Sequence, residues 1–186
     1  MKRVFDFSLG FLAALILLLP LLLVAIAVRI TSNGPVLYWS ERIGRNNVTF
    51  KMPKFRTMRL GTPVVATHLL TDVRSHLTPI GSFLRKSSID EMPQLWSILT
   101  GDMSFVGPRP ALFNQQDLID QRTKLGVHKL VPGLTGWAQV NGRDELPILQ
   151  KVALDTEYLK RQDFCFDIKI LWLTIFKVVL QDGVSH

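Results

Sequence analysis

From Phe7 to Val28 the chain carries no charged side chain, and about 20 apolar residues of helix are enough to cross a hydrocarbon layer of about 30 Å. By length this is a membrane helix. The run is too long for the core of a signal peptide, and no small-residue cleavage pattern follows it, so it is expected to stay attached. Lys2 and Arg3 precede it and Arg29 follows it. Pro20 sits near its middle, where a proline removes one backbone hydrogen bond and crowds the preceding turn. The residues leave two arrangements open: a bent helix that spans the bilayer, or one that dips into a single leaflet, breaks at Pro20 and returns to the same face.

The remainder has room for one domain with its own core, since the whole chain is 186 residues. A net charge of +7 suits phosphates, anionic lipid headgroups or nucleic acid, and charge alone does not choose among them. The lone cysteine, Cys165, excludes an intramolecular disulfide, and between Phe164 and Phe166 it is expected to be buried.

After the turn cluster Ser32-Asn33-Gly34-Pro35, residues 36–39 read as a strand, and residues 48–58 return across the polar turn Gly44-Arg45-Asn46-Asn47, so a small β-hairpin is expected. Residues 61–76 show no firm period and read as loop. Helices are expected near residues 80–86, 91–99, 115–124 and 146–160. A last helix, about residues 167–180, is interrupted only by Asp167, Lys169 and Lys177; it either lies at the membrane interface or covers the core. The fold class is therefore α+β, mostly helical, with a small hairpin.

The chemistry concentrates between Arg85 and Pro110. Pro93 suits only the first turn of a helix, which places Asp90 and Glu91 at a helix start, where orphan amides favour negative charge. An isolated pair of this kind would ordinarily be a cap. Adjacent carboxylates also become useful when a divalent cation and a phosphate share their site. Arg85, Lys86 and Arg109 lie nearby in sequence, and Gly107-Pro108-Arg109-Pro110 holds one arginine between two residues of locked φ. Lys54-Phe55-Arg56-Thr57-Met58 and Asn141-Gly142-Arg143 supply further basic positions. There is no Asp-x-Asp triplet, no Gly-x-Gly-x-x-Gly, no Walker loop and no His-Glu-x-x-His, so the common nucleotide and zinc motifs are excluded.

Together and in this order, these segments resemble the monotopic phosphoglycosyl transferases, a minimal form within the bacterial sugar transferases. Lys2-Arg3-Val4-Phe5-Asp6 before the apolar run, Gly101-Asp102-Met103-Ser104, and the stretch from Pro132 to Arg143 extend the resemblance over nearly the whole chain. It implies a re-entrant membrane helix, residues 1–31, broken at Pro20, and a cytoplasmic catalytic domain, residues 32–186, on the bacterial inner membrane. One departure is Leu19, where the family often has serine before the proline.

The resemblance further implies transfer of a sugar 1-phosphate from a UDP-sugar to polyprenyl phosphate. Asp90 would be the nucleophile, and Asp90 with Glu91 would hold Mg²⁺, or Mn²⁺ in its place. Arg85, Arg109, Arg143 and Lys54, with Pro108 and Pro110 framing Arg109, would bind phosphate and nucleotide. Partners would be the UDP-sugar, polyprenyl phosphate and membrane lipid, not nucleic acid; a homo-oligomer and the identity of the sugar stay open. The competing reading is a membrane-anchored basic module that binds anionic lipid or nucleic acid without catalysis.

Overall fold

The computed structural model describes residues 2–63, 73–142 and 146–179. Arg143, one of the expected phosphate ligands, lies outside the described residues, as does most of the loop expected at 61–76. The architecture is α+β and mostly helical, with a small antiparallel sheet.

Helix α1 runs from Lys2 to Thr31 with Pro20 inside it. An 18-residue window of it has a mean hydropathy of 3.1. One stripe of α1 packs on the rest of the chain. Asp6, Leu9, Gly10, Ala13 and Leu17 meet one part of the core, and Leu21, Val24, Ala25 and Val28 meet another. These positions recur every three or four residues, which is one face of a helix. Phe7, Phe11, Leu15, Leu18, Leu19 and Leu22 on the other faces are exposed.

Both ends of α1 are held by the same domain. At the start, Lys2 pairs with Asp167, Arg3 donates to the carbonyls of Ile98 and Leu99, and Asp6 Oδ1 accepts the Phe105 amide at 3.2 Å. At the end, buried Val28 packs with Phe55 and Leu84, and Arg56 bonds Ser32 and Asn33.

The expected hairpin is β1 (Leu37–Ile43) against β2 (Thr49–Phe55), in full register from Leu37↔Phe55 to Ile43↔Thr49. Its turn puts Asn46 and Asn47 in the left-handed region, φ 56° and 61°, which asparagine tolerates. Pro53 is accommodated because β2 is an edge strand, where a missing amide costs no ladder bond.

Then follow α2 (Val73–His76), α3 (Gly81–Lys86), a 3₁₀ segment Ile89–Gln94 and α4 (Leu95–Thr100). The single helix expected over 91–99 is thus two pieces. Pro93 contributes no amide donor, and regular α-helix begins only after it, at Leu95.

Strand β3 (Ser104–Val106) leads through Pro108-Arg109-Pro110 to β4 (Ala111–Leu112), which joins β1 on the side away from β2. Helix α5 (Gln116–Lys124) follows, then β5 (Gly133–Thr135), α6 (Trp137–Val140), α7 (Ile148–Arg161) and α8 (Phe164–Val179).

β3 and β5 form a two-stranded parallel pair that propensity did not indicate. Gly107 sits at its end with no room for a side chain: a Cβ there would overlap the Val131 carbonyl oxygen. Gly107 N donates to Thr135 O and Gly133 N to Pro108 O, both at 2.9 Å.

Helix α8 is amphipathic in an unusual sense. Phe166, Asp167 and Ile170 are buried, whereas Phe164, Ile168, Trp172, Ile175 and Phe176 are exposed. It covers the core with one face and leaves an apolar face outside. Cys165, expected to be buried, is exposed. The helical period explains this correction, since its neighbour Phe166 faces the core and Cys165 is about 100° around the axis.

Candidate active site

Asp90 and Glu91 lie in the 3₁₀ segment against β2, between α3 and α4. Ser88, at φ 57°, turns the chain out of α3, and no side chain caps the 3₁₀ segment. Asp90 is therefore not a helix cap. It is 8% exposed and accepts no hydrogen bond among the described residues.

Glu91 has the opposite setting. Its Oε1 accepts Lys54 Nζ at 2.6 Å and Arg109 Nη2 at 2.8 Å, and Oε2 accepts Arg109 Nη1 at 3.4 Å. These cations come from sequence-distant segments, Lys54 from β2 and Arg109 from the turn after β3. Arg85, on α3, is aimed by its Nε bond to Thr57 Oγ1 at 3.0 Å.

The two acids are split electrostatically. Burial, and then the charge of Glu91, push Asp90 up to about 6 against the pull of Lys54, Arg85 and Arg109. Burial would raise Glu91 as well, but the charges and hydrogen bonds of Arg109 and Lys54 outweigh it and hold Glu91 well below the ordinary carboxylate range. Burial also lowers Lys54, with Glu91 opposing. Near neutral pH the site thus holds a carboxylate already paired with two cations beside a second carboxylate that is reluctant to ionise and unengaged.

Arg109 is presented rigidly. Arg122 Nη1 donates to the Arg109 carbonyl at 2.8 Å, and Arg42 Nη1 to the Pro110 carbonyl at 3.2 Å. Arg122 is itself fixed by Asp155 of α7, with Nε and Nη2 reaching Oδ2 at 2.9 and 2.6 Å. Pro108 and Pro110 are both buried. The structure thus brings Lys54, Arg85, Asp90, Glu91 and Arg109 together. Sequence reading gave no site role to Arg122, Asp155, Arg42 or Thr57, which act by holding Arg109, Pro110 and Arg85 in place.

No cluster of three or more His, Cys, Asp or Glu side chains able to hold a metal occurs among the described residues. Mg²⁺ bound by one or two carboxylates and completed by substrate phosphates and water does fit, because Asp90 offers an unengaged carboxylate beside Glu91.

The model of the family described as "Bacterial sugar transferase" matches residues 1–181. The chain is 40% identical to the UDP-glucose:undecaprenyl-phosphate glucose-1-phosphate transferase of Escherichia coli K12, across 95% of this chain and 40% of that protein. It is 38% identical to the uncharacterized sugar transferase EpsL of Bacillus subtilis 168, across 100% of this chain and 91% of that one. It is 37% identical to the exopolysaccharide production protein ExoY of Rhizobium meliloti 1021, across 98% and 87%. The chain therefore spans less than half the length of the Escherichia coli protein and nearly all of EpsL. It belongs to the bacterial sugar transferase family.

Proposed function

We propose that the protein transfers a sugar 1-phosphate from a UDP-sugar to polyprenyl phosphate through a covalent intermediate on Asp90. The observation that carries this reading is the contrast between the two adjacent acids. Asp90 is buried, raised to about 6 and without a hydrogen-bond partner among the described residues, as suits a nucleophile. Glu91 is paired with Lys54 and Arg109. The names of the Escherichia coli and Komagataeibacter xylinus relatives, both undecaprenyl-phosphate transferases of glucose phosphate, support the substrate class.

In the proposed reaction the Asp90 carboxylate attacks the β-phosphorus of the UDP-sugar. A bond from carboxylate oxygen to phosphorus forms, the bridging oxygen leaves with UMP, and the sugar phosphate stays on Asp90. An oxygen of polyprenyl phosphate then attacks the same phosphorus and restores the carboxylate. Arg109, Lys54 and Arg85 orient and neutralise the diphosphate, Arg109 with its planar fork. Glu91 holds two of these cations in place before substrate arrives. Mg²⁺, held by Asp90 with Glu91, would offset charge on the diphosphate and the leaving group.

We further infer that α1 is re-entrant. Thirty helical residues extend about 45 Å, more than the hydrocarbon layer, yet both ends are docked on one domain. A spanning helix would hold its ends on opposite faces. Together with the exposed apolar face of α8, this supports a domain seated on one leaflet, the cytoplasmic one where nucleotide sugars are made. The first experiment is release of UMP from a UDP-sugar with Mg²⁺. A basic binding module would release none.

A further inference from the structure

The end of α1 carries a second cationic site. Arg56 is 5% exposed, and its fork grips the chain just beyond the helix: Nη2 donates to Ser32 O at 2.9 Å and to Ser32 Oγ at 2.8 Å, and Nη1 donates to Asn33 O. Gly34, at φ 115°, lets the guanidinium approach; a Cβ there would overlap Arg56 Nη1. Despite these bonds Arg56 Nε is buried with no partner among the described residues. Leaving such a donor unsatisfied is costly, and no acidic side chain lines this point to compensate the charge.

A cavity of about 310 Å³ lies at this point, lined by Ser32, Asn33, Arg56, Arg59, Leu60 and Thr78 among others, none of them acidic. Among the described residues the Arg59 side chain bonds only through Nε, to Leu77 O at 3.2 Å, so its terminal nitrogens stay available. The terminal nitrogens of Arg59, the charge of Arg56 and the Asn33 amide suit a phosphate, whereas the Thr31, Ser32 and Thr78 hydroxyls already donate to the Ala27, Val28 and Thr57 carbonyls. The flanks are apolar: Ile30 is 78% and Leu60 66% exposed. This is where the apolar helix ends, which is the depth of lipid headgroups if α1 lies in the membrane.

We propose that this cavity binds the phosphate headgroup of an anionic membrane amphiphile, at a site separate from Asp90. It rests on the membrane placement of α1 and not on the covalent chemistry. A bilayer phospholipid and the polyprenyl phosphate acceptor share the chemistry required, a phosphate bearing a hydrocarbon tail.

The test is retention of ligand by the full chain in native mass spectrometry, with phosphatidylglycerol, undecaprenyl phosphate, phosphatidylcholine or inorganic phosphate as probe. At least one of the two anionic amphiphiles should bind more tightly than phosphatidylcholine or inorganic phosphate. Arg59→Gln should weaken it about fivefold, while Lys124→Gln, removing an exposed charge on α5, should not. Arg56→Lys, which keeps charge but loses the fork, should also weaken it. If Arg56→Lys does not fold, Arg59→Gln decides alone.

Loss of phosphatidylglycerol with undecaprenyl phosphate unchanged assigns the site to a phospholipid; the reverse assigns it to the acceptor. Equal effects of Arg59→Gln and Lys124→Gln, or inorganic phosphate binding as tightly as the amphiphiles, would overturn the proposal. UMP release measured on the same samples reports separately on the transferase reading.

Discussion

Arg109 and Glu91 are joined by two hydrogen bonds, Nη2 to Oε1 at 2.8 Å and Nη1 to Oε2 at 3.4 Å, so the arginine beside Asp90 is engaged by the neighbouring acid. On the proposed mechanism, the substrate diphosphate draws Arg109 and Lys54 toward it while Glu91 keeps them in register. Arg109→Lys keeps the charge and loses the fork, and should raise the KM for UDP-sugar about tenfold. Glu91→Gln should lower kcat/KM by about a hundredfold, with Glu91→Asp recovering part of the loss because it restores the negative charge. Steady-state kinetics on the three variants checks both expectations.

The raised Asp90 has a pH signature. Below about 6 Asp90 is protonated, so on the proposed mechanism UMP release in single turnovers should fall about tenfold for each pH unit below it and level off above. Mg²⁺ affinity should rise with pH through the same region, since a carboxylate ligand must first lose its proton.

Stability runs the other way. Unfolded Asp90 ionises near 3.8 and folded Asp90 near about 6, so the folded state holds the extra proton between them. That contribution is fully present below the lower value and is lost as pH rises through the upper one. Asp90→Asn should therefore melt a few °C above wild type at pH 7 while being inactive. Thermal melts with and without the substitution measure this.

The Arg122–Asp155 pair is buried, with side chains 9% and 2% exposed, and removing one partner leaves an uncompensated charge. Asp155→Ala should cost about 3–5 kcal/mol by denaturant unfolding, and a folded remnant should show weaker UDP-sugar binding through the loosened Arg109 carbonyl.

Several of these relationships were legible before folding, others not. The β1–β2 hairpin is a local event written into its polar turn, and the apolar run of α1 is long and apolar enough to cross a membrane. The β3–β5 pair joins two three-residue strands across 26 intervening residues, too short to show a period and too distant for a turn signal. Arg122 and Asp155 sit on α5 and α7 where charges are ordinary, and only their meeting makes them structural. Lys54, Arg85 and Arg109 were visible as motifs, but no spacing discloses that Lys54 and Arg109 converge on Glu91 and not on Asp90. Lys2 and Arg3 looked like flanking charges and instead dock the helix start on Asp167 and on the Ile98 and Leu99 carbonyls.

Topology has its own test. Cys165 is exposed and serves as a native label, and Val4, 70% exposed, can be replaced by cysteine in a Cys165→Ser background. A membrane-impermeant maleimide should modify both positions from the cytoplasmic side only. Modification of the two from opposite sides would mean that α1 spans.

A single turnover without polyprenyl phosphate tests the Asp90 nucleophile most directly. With a UDP-sugar and Mg²⁺, wild type should release about one equivalent of UMP per enzyme and carry a phosphosugar adduct by intact mass. Asp90→Asn should show neither. Asp102→Asn should show both, because exposed Asp102 accepts only the Thr100 hydroxyl among the described residues, at 2.8 Å. An enzyme that turns over once acceptor is added, yet releases no UMP and carries no adduct without it, would contradict the covalent route.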